Sequence, residues 1–544
     1  MNLFTKTIAS LIFVSMSANL MSAEIKPDPA VSNSLVDAIV GAQAGDVIIL
    51  QRGAYYYHQT TIEISVPLTI KADATNPELP KPIVSLLVRT DNTTPTTNFT
   101  VKSDLVCENI HFHAGVSGRP GYHDDVRRCM EWSTTANMRA EFRGCIIQDY
   151  DARTMVLEAP DMKFFAYDCV WLNDHKTPGP SEGRSIDLRQ FGPDSLVIQN
   201  STFVNSGNRW IRHMPSSGVI DPINYAKIDH CTFVNAAGYH PPFDFGTIEN
   251  LQFTNNIVQN NGIMGTDFTV QSAAVNKLGI IADPANYNST DKKLMPYRVS
   301  EVYYDRADGI VILGCHGVDS IGTKITMHNN NIYNIPEIAA KLAQNDTVSP
   351  VAVWCTQFKK SIQGDTTKAY SQEAIKFVKG SELVGDGFNW IDSIMNRYIG
   401  YWDKNQYFVM PWPNLEDIDF NYGTTAAAYT AGVDGYPLGD LNWYPYYKCK
   451  WAGGTNCVDT KTKVYNSDIV SVYPNPASNY LQIKINGNKP ATFKMFNLFG
   501  NLVYSSKVVN SSSFDLKAAN IGQGLYLYTV ETEDNYYSGK LIVK

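Results

Sequence analysis

Apolar and polar positions alternate with a period of two through most of this chain, and one six-residue phrase keeps returning. It is read at residues 144–149, 168–173, 200–205, 230–235, 254–259 and 329–334, as in Asp168-Cys169-Val170-Trp171-Leu172-Asn173. Each copy has a small or polar residue, then a large apolar residue, then an amide or acid, with one position between each. Aligned on Ile147, Trp171, Phe203, Phe233 and Ile257, the first five recur at steps of 24, 32, 30 and 24 residues, a coiling period with loop insertions of variable length.

Side chains two apart in a strand share a face. The column of Cys145, Cys169, Ser201 and Cys231 and the column of large apolar residues therefore stack inside one tube. Asn173, Asn205 and Asn235 follow two positions on, where an amide can bond the turn backbone of its own coil and of the next. The expected fold is all-β, a right-handed parallel β-helix. The competing architecture, a β-sandwich with Asn-rich turns, gives no reason for an apolar residue at a fixed offset.

The rest of the chain divides around this region, into a signal segment (1–23), the β-helix with its insertions (24–447), a polar linker (448–467) and a C-terminal unit (468–544). Residues 31–70 read as a short amphipathic helix, a Gly-Asp turn and brief strands, fit to close the open end of a coil. The rhythm lapses over 263–322 and again over 336–419, where a helix is expected near 371–379 and an aromatic run spans 390–412. Residues 420–445 look like a turn-rich terminal cap. The last part alternates with period two in strands of about five residues separated by Gly and Asn turns, a small β-sandwich.

Two resemblances follow from these residues. The 31–70 run and the Asn column resemble the pectin-lyase-like superfamily over roughly residues 31–259. Tyr473-Pro474-Asn475-Pro476, the Phe499-Gly500 turn, Gly524-Leu525-Tyr526 and the terminal Lys-Leu-Ile-Val-Lys closely resemble the type A sorting domain of the type IX secretion system. The second implies a Bacteroidetes-type host, passage across the outer membrane through the secretion machinery, and removal of residues 468–544 or their exchange for a lipid-sugar anchor. A fibronectin-like carbohydrate-binding appendage is the competing reading of these strands.

Composition agrees with an exported protein. Aromatics make up 12%, with 31 Tyr, and the net charge of −8 argues against a nucleic-acid partner. The N-terminus, with Lys6, an apolar run over 8–14 and Met21-Ser22-Ala23, reads as a secretory signal, and no later stretch is long and apolar enough to span a membrane. Cys449 and Cys457 suit a disulfide in an oxidising compartment, whereas the interior cysteines read as buried thiols.

The pectin-lyase-like resemblance implies a substrate lying along one parallel sheet. With Ile186, Ile211 and Phe243 facing inward, Asp187, Arg212 and Asp244 project outward in one column, and these are the candidate catalytic residues. Arg189, Arg209, Trp210 and Lys227 are the candidate substrate-binding residues, and the cluster Tyr55-Tyr56-Tyr57-His58 could also stack sugar rings. Cleaving a polyuronate by β-elimination needs a cation or calcium on the sugar carboxylate and a base for the C5 proton. Arg212 could be base or clamp, and Asp187 and Asp244 could hold calcium. The same two acids, two coils apart, also meet the carboxyl spacing of about 6.5–9.5 Å for inverting hydrolysis. The plain alternative is a surface ion ladder. His175, His213, His230 and His240 show no metal-ligand spacing. The expected function is polysaccharide lyase-like, with a non-catalytic glycan-binding or adhesion protein and a glycoside hydrolase as the other readings.

Overall fold

The computed structural model describes residues 22–87, 95–114, 128–133, 135–150, 152–174, 183–189, 191–213, 221–236, 241–262, 322–336, 356–379, 415–455, 457, 470–485, 490–497, 501–532 and 536–544, with short strand pieces between 266 and 389. The signal segment before residue 22, most of the 263–322 insertion, the aromatic run 390–412, His175 and His240 lie outside them. Two compact units are present, Met1–Ala452 and Gly453–Lys544, and each is described by itself.

Strands of the first unit fall to three sheets in turn. Val47–Leu50 joins the first sheet, Tyr55–His58 the second, Ile62–Ile64 the third, and Leu68–Ala72 returns beside Val47–Leu50. The sheets hold ten, ten and nine strands and their pairs run parallel, so the chain is a parallel β-helix, as its repeats predict. The helix Ser34–Gly41 buries Leu35 and Ile39 at the first coil, where the cap was expected.

The tube is filled by stacked rings. In the second sheet Ile147 pairs with Trp171, Trp171 with Phe203 and Phe203 with Phe233. Adjacent rings lie parallel, 4.5 Å apart for Trp171–Phe203 and 4.7 Å for Phe203–Phe233. Burying each such side chain contributes roughly 1.5–3 kcal/mol, which makes this column a main source of stability. The next partner is Val258 and not Ile257, a correction of one residue to the sequence alignment. Ile257 faces outward instead, into a second apolar cluster with Ile375 and Phe377.

Amides close the corner after the second sheet. Asn173 donates to Asp149 Oδ1 (2.8 Å), Asn205 to Asn173 (3.3 Å), Asn235 to Asn205 (3.0 Å) and Asn260 to Asn235 (3.2 Å). All five residues sit in the left-handed region, with φ from 58° to 69°. Asn tolerates that conformation better than other L residues with a side chain, so one residue type meets both demands. A second left-handed column, Gly144, Asp168, Asn200, His230, Asn255 and Asn329, makes the corner before the second sheet.

The chain beyond residue 356 departs from expectation. Residues 371–379 hold no helix, with strands at Tyr370–Ser371 and Phe377–Lys379; the helix lies at Thr356–Ser361. Ile375 and Phe377, two apart, both reach the same cluster beside Phe420 and Tyr422, and this packing outweighs local helix preference. The 420–445 segment is not an end cap, for it lies along the outer face of the second sheet. Asp440 accepts from Thr202 Oγ1 (2.7 Å) and donates its backbone N–H to Thr232 Oγ1 (2.9 Å). Gly439 beside it has φ +80°, and a Cβ there would meet Thr232 Oγ1 at 2.5 Å, so only glycine fits this approach. The helix Pro445–Trp451 occupies the start of the expected linker, and Cys449 and Cys457 are disulfide-bonded.

Among the described residues of the second unit, seven strands form an antiparallel sheet of three and another of four over a core including Leu481, Ile483, Phe493, Val530 and Leu541. That is the small β-sandwich read from the alternation.

Candidate functional site

Four neighbouring strands of the third sheet carry the candidate residues: Arg153–Leu157, Arg184–Leu188, Arg209–His213 and Phe243–Asp244. Met155, Ile186, Ile211 and Phe243 face the tube, and the alternation turns Val156, Asp187, Arg212 and Asp244 outward. Register places Asp187 opposite Arg212, and Arg212 opposite Asp244, in one column.

The column is buried, however. Asp187, Arg212 and Asp244 are 0%, 5% and 3% exposed, where an outward charge was expected to meet solvent. Arg212 grips Asp187 with two bonds, Nε to Oδ1 at 2.5 Å and Nη2 to Oδ2 at 2.8 Å. Arg153 Nε and Arg184 Nη1 lie 3.4 and 3.9 Å from the same Oδ2. Burial alone would raise the Asp187 pKa, but Arg212, Arg184 and Arg153 outweigh it and bring it down to about 2. On the next coil Arg209 donates to Asp244 Oδ2 (2.9 Å), while Gly246 N–H donates to Oδ1 (3.3 Å).

A feature missed in the sequence explains this crowding. Arg153, Arg184 and Arg209 are register partners at the openings of successive strands, and Arg128 opens the preceding one. The steps of 25, 31 and 25 residues are visible in the sequence, at positions that open the strands and not at their centres. Stacked like charges repel across a sheet. Here Glu131 pairs with Arg128 (2.6 Å), Asp187 with Arg153 and Arg184, Asp244 with Arg209, and Glu158 approaches Arg189 (3.3 Å). Among the described residues, the guanidinium groups of residues 128, 153, 184, 189, 209 and 212 share this face with the carboxylates of residues 131, 158, 187 and 244. Arg184, Arg209 and Arg212 are buried; Arg128, Arg153 and Arg189 keep 28%, 22% and 20% of their side chains exposed and form the accessible rim.

Two expected binding residues stand elsewhere. Trp210 is fully buried against Phe203 and Phe233, its Nε1 donating to Asn261 Oδ1 (2.7 Å), so it supports the tube and offers no ring to a sugar. Lys227 belongs to the first sheet, 3.7 Å from Asp229. His213 faces inward and bonds Phe245 O through Nδ1 (3.2 Å). Tyr55 and Tyr57 are exposed on the outer face of the second sheet, rings 5.6 Å apart and nearly parallel, whereas Tyr56 and His58 are buried.

The donor set does not fit calcium. Both oxygens of Asp187 are taken by Arg212, with two more arginines within 4 Å, and both oxygens of Asp244 accept hydrogen bonds. Among the described residues no group of three or more His, Cys, Asp or Glu is placed to hold a metal ion.

Comparison with known proteins bears first on the second unit. Residues 471–544 match the family described as a secretion system C-terminal sorting domain. This chain carries that sorting domain. It is exported by type IX secretion, to be secreted or held at the cell surface, and the sorting domain engages the secretion machinery. Within the sorting domain, Asn475 of the Tyr-Pro-Asn-Pro run ties the start to the last strand, donating to Lys540 O (2.7 Å) and accepting from Ile542 N–H (2.9 Å). A stretch of 99 residues is 34% identical to an ulvan lyase of Nonlabens ulvanivorans and covers 18% of each chain. No helix among the described residues is long and apolar enough to cross a membrane.

Proposed function

We propose that this exported β-helix protein engages an acidic polysaccharide across the outer face of its third sheet, as a polysaccharide lyase-like protein. The column of arginines carries this reading. A face that stacks arginines on successive coils suits a polyanion, whose carboxylate or sulfate groups the rim guanidiniums can meet. Arg153 and Arg189 on the rim are the ligand-contacting groups, and Asp187 with Arg212 positions them from beneath.

The geometry also sorts the roles considered. A guanidinium bonded twice to a carboxylate is held in its charged form, which favours Arg212 as clamp over Arg212 as base. Inverting hydrolysis needs an acid that keeps its proton near neutral pH, and Asp187, at about 2, does not. The ulvan lyase likeness, over 18% of each chain, supports the lyase class.

The test uses the full exported chain and a panel of uronate-containing polymers, with retention on polymer-containing gels and ultraviolet absorbance of the unsaturated product as separate readouts. Retention with product supports the lyase. Retention without product selects the non-catalytic binder. Absence of both, or retention unchanged in Arg153→Ala/Arg189→Ala, overturns the assignment of the site.

A further inference from the structure

A cleft of about 400 Å³ lies on the outer face of the first sheet. Its floor comes from three consecutive coils: Lys227 and Asp229, then Gln252 and Thr254, then Thr326 and His328. Val433, Asp434, Tyr436 and Trp451 form its walls. The volume falls within the range of small-ligand sites.

His230 opens onto this cleft from the left-handed corner column. Its neighbours in that column are Asp168, Asn200, Asn255 and Asn329, short side chains that serve the turn. An imidazole is larger than the turn requires. It is 2% exposed, Nδ1 lies 3.2 Å from Asp229 Oδ1, and Nε2 has no hydrogen-bond partner among the described residues. Leaving such a nitrogen unpaired is unfavourable, and a ligand hydroxyl would relieve it. Trp451 stands beside it, ring centres 6.3 Å apart at 63°.

Charge separates this cleft from the arginine face. Lys227 lies 3.7 Å from Asp229, and Asp434 adds a further carboxylate, so the cleft has no stack of cations like the one on the third sheet. We propose that the cleft is a binding site for a neutral saccharide of one or two rings. Trp451 and Tyr436 supply apolar surface for the ring C–H face, and His230 Nε2, Gln252 and Lys227 meet its hydroxyls. This site does not depend on the reading of the third sheet.

Saturation-transfer NMR on the full chain, with neutral cello-, xylo- and galacto-oligosaccharides as probes, tests it. At least one probe gives transfer, and His230→Asn and Trp451→Ala each weaken its binding by about tenfold or more. Asn already occupies the equivalent corners at 200 and 255, so His230→Asn keeps the turn and unfolds as the wild type does. The proposal fails if none of the probes gives transfer, or if both variants bind as the wild type. It fails equally if binding is lost in Arg153→Ala/Arg189→Ala but kept in His230→Asn.

Discussion

Asn235 donates its side-chain amide to Oδ1 of Asn205 on the preceding coil, 3.0 Å away, and Asn205 does the same to Asn173 at 3.3 Å. Each residue is thus donor, acceptor and left-handed corner at once. Asn205→Ala removes both bonds and keeps the backbone strain, costing about 2–4 kcal/mol in denaturant unfolding. Asn205→Gly loses the same bonds without the strain and costs about 1 kcal/mol less. Equal losses for the two variants would contradict the corner account.

Asp187 answers to three arginines. Asp187→Asn leaves the buried Arg184 and Arg212, and Arg153 at the rim, without their shared counter-charge, and a loss of about 3–5 kcal/mol is expected. Its folded pKa, about 2, lies below the ordinary 3.8, so its contribution is present above pH 3.8 and is lost as pH falls toward 2. Acid unfolding of the wild type, compared with Asp187→Asn, reads that window directly.

Asp440 titrates with the opposite sign. Burial lifts its pKa to about 6, against hydrogen bonds from Asn442 N–H and Thr202 that pull it down. The folded state therefore favours the protonated acid. Its contribution is complete below pH 3.8 and is lost as pH rises through about 6, at roughly 1.4 kcal/mol per unit over that interval. Asp174, lifted to about 7, slopes the same way, so only the difference between wild type and Asp440→Asn isolates Asp440. That difference should move by about 2–3 kcal/mol between pH 4 and pH 7 in chemical denaturation; a flat difference would refute it.

Trp210 separates structure from binding. Trp210→Ala should cost about 3–5 kcal/mol by opening a cavity beside Phe203 and Phe233. Glycan retention measured below its unfolding midpoint should match the wild type. A selective loss of retention would restore Trp210 to the binding face.

Much of this was legible because a coil repeats its demands. Cys145, Trp171 and Asn205 sit at offsets that only stacked strands explain, and the third-sheet register of Asp187, Arg212 and Asp244 followed from alternation. The slip at Ile257 arose where Ile257 and Val258 are both apolar. Asn260 could have resolved it, because the ladder needs a left-handed amide, and Gln259 is not one. Burial of the Asp187 column was not legible, since a period of two reports which way a side chain points and not what lies over it. Lys227 and Trp210 were grouped with the site by sequence distance, but neighbouring residues in a coil belong to different sheets and faces. The path of residues 420–445 was hidden because packing on Thr202 and Thr232 joins positions more than 200 apart in the chain.

Calorimetric titration of a polyuronate into the wild type and into Arg153→Ala/Arg189→Ala, at low and at raised salt, tests the central claim most directly. The account predicts saturable binding that weakens with salt and drops by at least about tenfold in the double variant. Binding of equal strength in both proteins, or no heat from either, would contradict an acidic-glycan face on the third sheet.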